Sequence, residues 1–90
     1  MIPYTLFIES RSENGDTGDR LLKKELRSTV LPRINEQIDL IGTAFTVTGV
    51  THNISKDIVE VYVVAEDADF DQLLGRDGYE LLHGGASTTK

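Results

Sequence analysis

From Ile2 to Glu9 apolar and polar positions alternate, with Ile2, Tyr4, Leu6 and Ile8 on one side and Pro3, Thr5, Phe7 and Glu9 on the other. That period of two predicts a β-strand whose even-numbered face is the core face. The segment SRSENGDTGD follows, and its Asn14-Gly15 pair is a strong hairpin signal because both residues tolerate positive φ. A flexible loop fits the same polar composition.

Residues 20–30, RLLKKELRSTV, carry both periods. Wound as a helix, they place Leu22, Leu26 and Val30 along one side beside Arg20, Lys23, Lys24 and Arg27, with Asp19 as a possible N-cap. Extended as a strand, the same three apolar side chains point inward, with Lys24 and Ser28 between them. Propensity favours a helix for LLKKEL and a strand for STVL. The Asn-Gly turn and the direct run into Pro32 lean towards a second strand.

The stretch from Leu31 to Glu66 reads as three consecutive strands with two tight connections. Ile38 and Leu40 share a face with Asp39 opposite, and Gly42-Thr43 is the expected turn. Phe45 and Val47 then fall on one face and Thr46 and Thr48 on the other. The next apolar residues, Val50 and Ile54, are even-numbered, so the parity changes at Gly49, which predicts a β-bulge there. Asn53 to Asp57 forms the second turn. In the last strand Val59, Val61, Val63 and Ala65 alternate with Ile58, Glu60, Tyr62 and Val64. A bulged, bent middle strand is how a small sheet begins to curl towards a barrel.

Beyond it, EDADFDQLLGRDGYELLHG places Phe70, Leu73 and Leu74 at helical spacing, with Asp67 or Asp69 as N-cap and acids in the first turn. Gly75 and Gly78 limit or split that helix, and Tyr79, Leu81 and Leu82 make a second apolar patch. The expected fold is mainly β (α+β): a small antiparallel β-barrel or curled sheet of four or five strands with a C-terminal helix. One domain is expected over residues 1–83, with a disordered tail over residues 84–90.

Pro32, Glu36, Ile38, Leu40, Gly42, Phe45, Val47 and Val50 fill the pattern P-x-x-x-E-x-I-x-L-x-G-x-x-F-x-V-x-x-V. That pattern resembles the meander of small SH3-like β-barrel proteins, and is similar to small uncharacterised barrel proteins of phage and mobile-element type. The resemblance covers the middle of the chain and carries over no functional residue. It implies a binding or assembly module rather than an enzyme.

Composition narrows the chemistry. Ninety residues support one modest core. With no cysteine, disulfides, thiolate nucleophiles and Cys-based zinc sites are excluded together. No apolar run reaches membrane-spanning length and MIPYTLFIES has no basic stretch before its apolar residues, so a soluble, cytoplasmic protein is expected. Asn53-Ile54-Ser55 matches a glycosylation sequon by chance in that setting.

Arg11, Arg20, Lys23, Lys24, Arg27 and Arg33 account for six of the nine basic residues, and the net charge is −6. That acidity disfavours nucleic acid as a partner. Arg20, Lys23, Lys24, Arg27 and Arg33 are read first as a solvated basic face and alternatively as an anion-binding hairpin. The interleaved aromatics of a single-strand binder are missing from them.

Glu66, Asp67, Asp69 and Asp71 fail the EF-hand pattern, since Gln72 stands where the turn glycine belongs and Gly78 where the bidentate glutamate belongs. Helix capping and solvated charge account for them better. His52 and His83 have no second histidine at metal-ligand spacing, and His52 is expected to be partly buried and hydrogen-bonded. No nucleophile elbow and no phosphate-binding glycine fingerprint is present. Neither catalytic residues, cofactor nor metal is therefore expected. The last candidate is the even face of the final strand, where Ile58, Tyr62 and Val64 either lie under the C-terminal helix or form an interface. The expectation is a non-enzymatic interaction or assembly module whose partner is a protein, including a second copy of this chain. The alternative is a small ligand- or anion-binding domain.

Overall fold

The computed structural model describes residues 1–12 and 17–83 of the chain. Its elements are β1 (Ile2–Arg11), β2 (Thr17–Ser28), β3 (Gln37–Leu40), β4 (Thr43–Asn53), β5 (Ile58–Glu66), α1 (Asp67–Leu73) and β6 (Glu80–His83). They build one six-stranded sheet in the order β3-β4-β5-β1-β2-β6. The fold is mainly β with one short helix, as the alternation predicts.

Of the two expected forms, barrel or sheet, the chain takes the sheet, which is open with β3 and β6 as its edges. Two features differ from the expected architecture. The sheet has six strands because Glu80–His83 adds to β2. The adjacent Leu81 and Leu82 break the period of two, so this strand is invisible to alternation. The sheet is also not wholly antiparallel, since β1 and β5 run side by side in parallel, with Leu6 opposite Val61 and Ile8 opposite Val63. A parallel pair needs a long crossover, and the chain from β2 through β4 supplies it.

Residues 20–28 are extended, and the chain bends away at Thr29 and Val30, so the expected strand stops short of Val30. β2 pairs antiparallel with β1 over Ile2–Ser28 to Glu9–Leu21, as a hairpin requires, while Asn14-Gly15 lies outside the described residues. The bulge is also present: pairing passes from Val47↔Val63 to Gly49↔Tyr62, which leaves Thr48 as the extra residue. Its hydroxyl donates to the Tyr62 carbonyl at 3.1 Å. After the shift Val50 pairs with Val61, so the even positions of β4 come onto the core side.

The β3–β4 turn is centred one residue earlier than expected. Leu40 pairs with Thr43, and Ile41 (φ 48°) and Gly42 (φ 83°) are the central residues. Positive φ at both is the type I′ geometry that matches strand twist. Glycine meets it freely. A β-branched residue does so under strain, which Ile41 offsets in part by packing against the core.

The core lies on one face of the sheet. Leu6, Ile8, Leu22, Val47, Val61 and Val63 are fully buried there with Phe70 and Leu73 of α1. Phe45 is buried with them, as its parity predicts. α1 lies against β1 and β5. Glu66 holds the N-cap position with extended backbone and makes no side-chain cap, so neither Asp67 nor Asp69 caps the helix. Both sit in the first turn, where the macrodipole favours acids. Gly75 (φ 87°) follows the helix end and lets the chain turn away, as glycine past a helix commonly does. The proposed disordered tail lies outside the described residues.

Candidate interaction surfaces

Strand alternation puts the side chains of Ile58, Tyr62 and Val64 on the face opposite α1. The helix therefore covers the odd face of β5, through Val61, Val63 and Ala65, and leaves the even face to the other side. Because Phe7 is opposite Tyr62 in the parallel register, their rings stack at 5.2 Å between centroids with 16° between planes. Glu9, Leu21 and Lys23 share that face through the β1–β2 register. Among the described residues no element packs over it. Phe7, Tyr62 and Val64 are half-buried, shielded by one another and by their neighbours on the sheet.

Tyr62 donates its hydroxyl to Glu60 Oε1 at 2.9 Å. Its pKa is raised, first by burial and then by the Glu60 hydrogen bond and the charges of Glu60 and Glu9. The phenol is therefore held neutral. Each ring covers one face of the other, and the carboxylates of Glu9 and Glu60 beside Tyr62 disfavour a nucleic-acid partner there.

The basic residues read together in the sequence are dispersed by the fold. Arg20 is buried, 5% exposed, on the helix side. Its Nη1 donates to Asp71 Oδ1 at 2.6 Å and its Nη2 to Asp67 Oδ1 at 3.0 Å. Its guanidinium stands 4.4 Å from the Phe70 ring centroid, and its backbone N–H donates to Ser10 Oγ at 3.1 Å. Burial pulls the Arg20 pKa down, but the hydrogen bonds and charges of Asp71 and Asp67 outweigh it and the net shift is upward. Arg20 is thus a clamp between β2 and α1.

Lys24 lies on the same side, opposite Leu6, with its ammonium 4.6 Å from the Tyr79 ring centroid. Lys23 points to the open face, 3.6 Å from Glu25 and 3.7 Å from Glu80. Arg27 and Arg33 make no ion pair among the described residues. The five do not converge on one anion site.

Three of the four acids in the run have partners. Glu66 pairs with Arg11 at 2.8 Å, and Asp67 and Asp71 serve Arg20. Among the described residues no group of three or more ligand-type side chains is placed to hold a metal. His52 is not partly buried: its side chain is 62% exposed at the end of the sheet, 4.0 Å from Asp57 Oδ1. It pairs with Val59 one residue before the end of β4, which places it at the rim.

A further surface has no counterpart in the sequence reading. Residues 29–36 cross from β2 to β3 on the helix side, where Leu31 packs against the core. Between this crossover and the ends of β1 and β4 lies a groove of about 650 Å³, lined by Ile2, Val30, Leu31, Ile34 and Val50 with Arg33. Alternation assigned Val30 and Val50 to the interior, yet Val30 is 65% exposed and Val50 37% exposed. Their exposure is set by the path of the crossover, which no local period encodes.

Among the described residues no helix is long and apolar enough to cross a membrane. Comparison with protein-family profiles, curated proteins and solved structures finds no match for this chain.

Proposed function

We propose that this chain is a non-enzymatic assembly module that pairs with a second copy of itself through the open face of its sheet. The observation that carries the proposal is the position of Phe7, Tyr62 and Val64. They sit on the central parallel pair β1–β5, on the side away from α1. A strand apolar on both faces, as β5 is, is ordinarily covered on both. Here the helix supplies one cover, and a two-fold partner is the commonest source of the other.

Light scattering at micromolar concentration tests the reading. The wild-type chain should give twice the monomer mass. Tyr62→Glu and Val64→Lys should each shift the mass towards one chain, because an unpaired charge at an apolar interface loses its hydration. Both positions are only half-buried within the monomer, so circular dichroism should show each variant folded. A wild-type chain that stays monomeric at high concentration would defeat the proposal.

A further inference from the structure

We infer that the groove at the β2–β3 crossover is a separate binding site for a partner segment that presents neighbouring apolar side chains beside a carboxylate. It lies on the helix side of the sheet, so it does not depend on the self-pairing face.

The groove is apolar and already formed. Ile2 (40% exposed) and Ile34 (55% exposed) join Val30 and Val50 in presenting aliphatic surface to water. Clustered aliphatics of this kind are candidates for an interaction site. Its wall is fixed by backbone hydrogen bonds. Asn35 N–H donates to the Val47 carbonyl at 2.9 Å and Val47 N–H to the Glu36 carbonyl at 2.8 Å. The Glu36 carboxylate closes the turn by accepting the Arg33 N–H at 2.8 Å. A wall held in this way loses little freedom on binding.

Charge and shape then select the occupant. Arg33 is the charged residue among the described lining, it is exposed, and it makes no ion pair among the described residues. In a chain of net charge −6, an unpaired guanidinium at the rim of an apolar groove is complementary to a carboxylate. Small-molecule sites enclose most of their ligand, whereas these walls stay exposed and would leave much of a small ligand in water. A segment of a larger partner, which brings its own cover, fits better. A second copy could offer Leu81 and Leu82 beside Glu80, which are exposed on the edge strand β6. That contact would be head-to-tail and would propagate without closing. Growth into long oligomers is therefore an outcome that the test must separate.

Three fluorescein-labelled short peptides serve as probes: alternating leucine and glutamate, alternating leucine and lysine, and alternating serine and glutamate. Anisotropy on the full chain should show binding of the leucine–glutamate peptide only, weakened by added salt. Arg33→Glu should lower that affinity by about fivefold or more, in line with loss of a rim ion pair and its replacement by repulsion. Ile34→Glu should lower it by about tenfold or more. Both residues are exposed, and circular dichroism checks that the variants fold.

Equal binding of the leucine–glutamate and leucine–lysine peptides would overturn the carboxylate requirement. Binding of no peptide would overturn the site. Concentration-dependent growth beyond a dimer that Ile34→Glu abolishes would overturn the assignment to a different partner, because a second copy would then be the occupant. Dimer mass unchanged in Ile34→Glu is expected, and separates failure here from failure of the self-pairing face.

Discussion

Arg20 shows how a single charged side chain can be held inside a small domain. Its guanidinium is buried while its partners Asp67 and Asp71 keep about half of their side chains in water. Removing the two partners therefore leaves a buried charge uncompensated, whereas removing the arginine leaves carboxylates that can rehydrate. The double change Asp67→Asn with Asp71→Asn should destabilise by about 3 kcal/mol, and Arg20→Met by less, as measured by urea unfolding. The reverse order would show that the guanidinium is hydrated in solution. Nothing in RLLKKELRSTV distinguishes Arg20 from its basic neighbours, because the distinction depends on acids more than forty positions away.

Gly49 is a contrasting case. A Cβ there would meet the Tyr62 side chain at 3.7 Å, an ordinary contact, and its φ is not in the left-handed region. Gly49→Ala should be neutral, or stabilising by up to about 1 kcal/mol through a less flexible unfolded chain. Gly78 has φ 88°, and a Cβ there would collide with Lys24 Nζ. Gly78→Ala should cost about 1–2 kcal/mol. Thermal melts of the two variants check both, and a costly Gly49→Ala would mean that the bulge needs the glycine itself. The parity change located the bulge in the sequence, but the residue that it frees is Thr48.

At the scale of elements, α1 has seven residues and is far too short to be stable alone. Phe70 and Leu73, both fully buried, and the Arg20 clamp hold it to the sheet. Phe70→Ala should therefore cost about 3–5 kcal/mol and expose Leu6 and Ile8 beneath it, with loss of amide-exchange protection on β1 as the readout. Unchanged protection would place the anchor elsewhere.

The strands were legible in proportion to their local regularity. β1, β4 and β5 follow from alternation, whereas RLLKKELRSTV carries a helical period as well and only leans towards the strand that forms β2. β6 was hidden by Leu81-Leu82, and the parallel pairing of β1 with β5 by residues 12–57 between them. The interface candidates Tyr62 and Val64 could be read from β5 alone, since a strand apolar on both faces needs two covers. Phe7 could not be added until the register placed it beside Tyr62. The groove was illegible because Val30 and Val50 look like interior residues until the crossover is seen to leave them exposed.

Charge acts on the molecule as a whole. Two copies at −6 each repel, so added salt should strengthen self-pairing while weakening leucine–glutamate peptide binding at Arg33. Sedimentation and anisotropy across a salt series read the two trends, and parallel trends would mean one shared surface.

The three tyrosines give a second whole-molecule test. Tyr4 and Tyr62 are raised above the ordinary phenol value of 10.0, with burial as the leading cause. Tyr79 is raised by burial against a smaller opposing effect of Arg76. A phenol whose folded pKa is raised contributes stability that is full below the unfolded value and is lost as pH rises through the folded one. The fold should therefore lose stability above about pH 10, with phenolate absorbance rising later than in the unfolded chain. Coincident titration of folded and unfolded protein would contradict the burial of these rings.

In the proposed dimer the face bearing Phe7 and Tyr62 meets its own copy. An isotope-filtered NOE experiment on a mixture of labelled and unlabelled chains records only contacts between copies. Intermolecular NOEs are expected from the rings of Phe7 and Tyr62 and the methyls of Val64, and none from the buried Phe70 or Leu73 of α1. Intermolecular NOEs confined to Val30 and Ile34, or none at all at a concentration where the chain scatters as a dimer, would contradict the proposed contact.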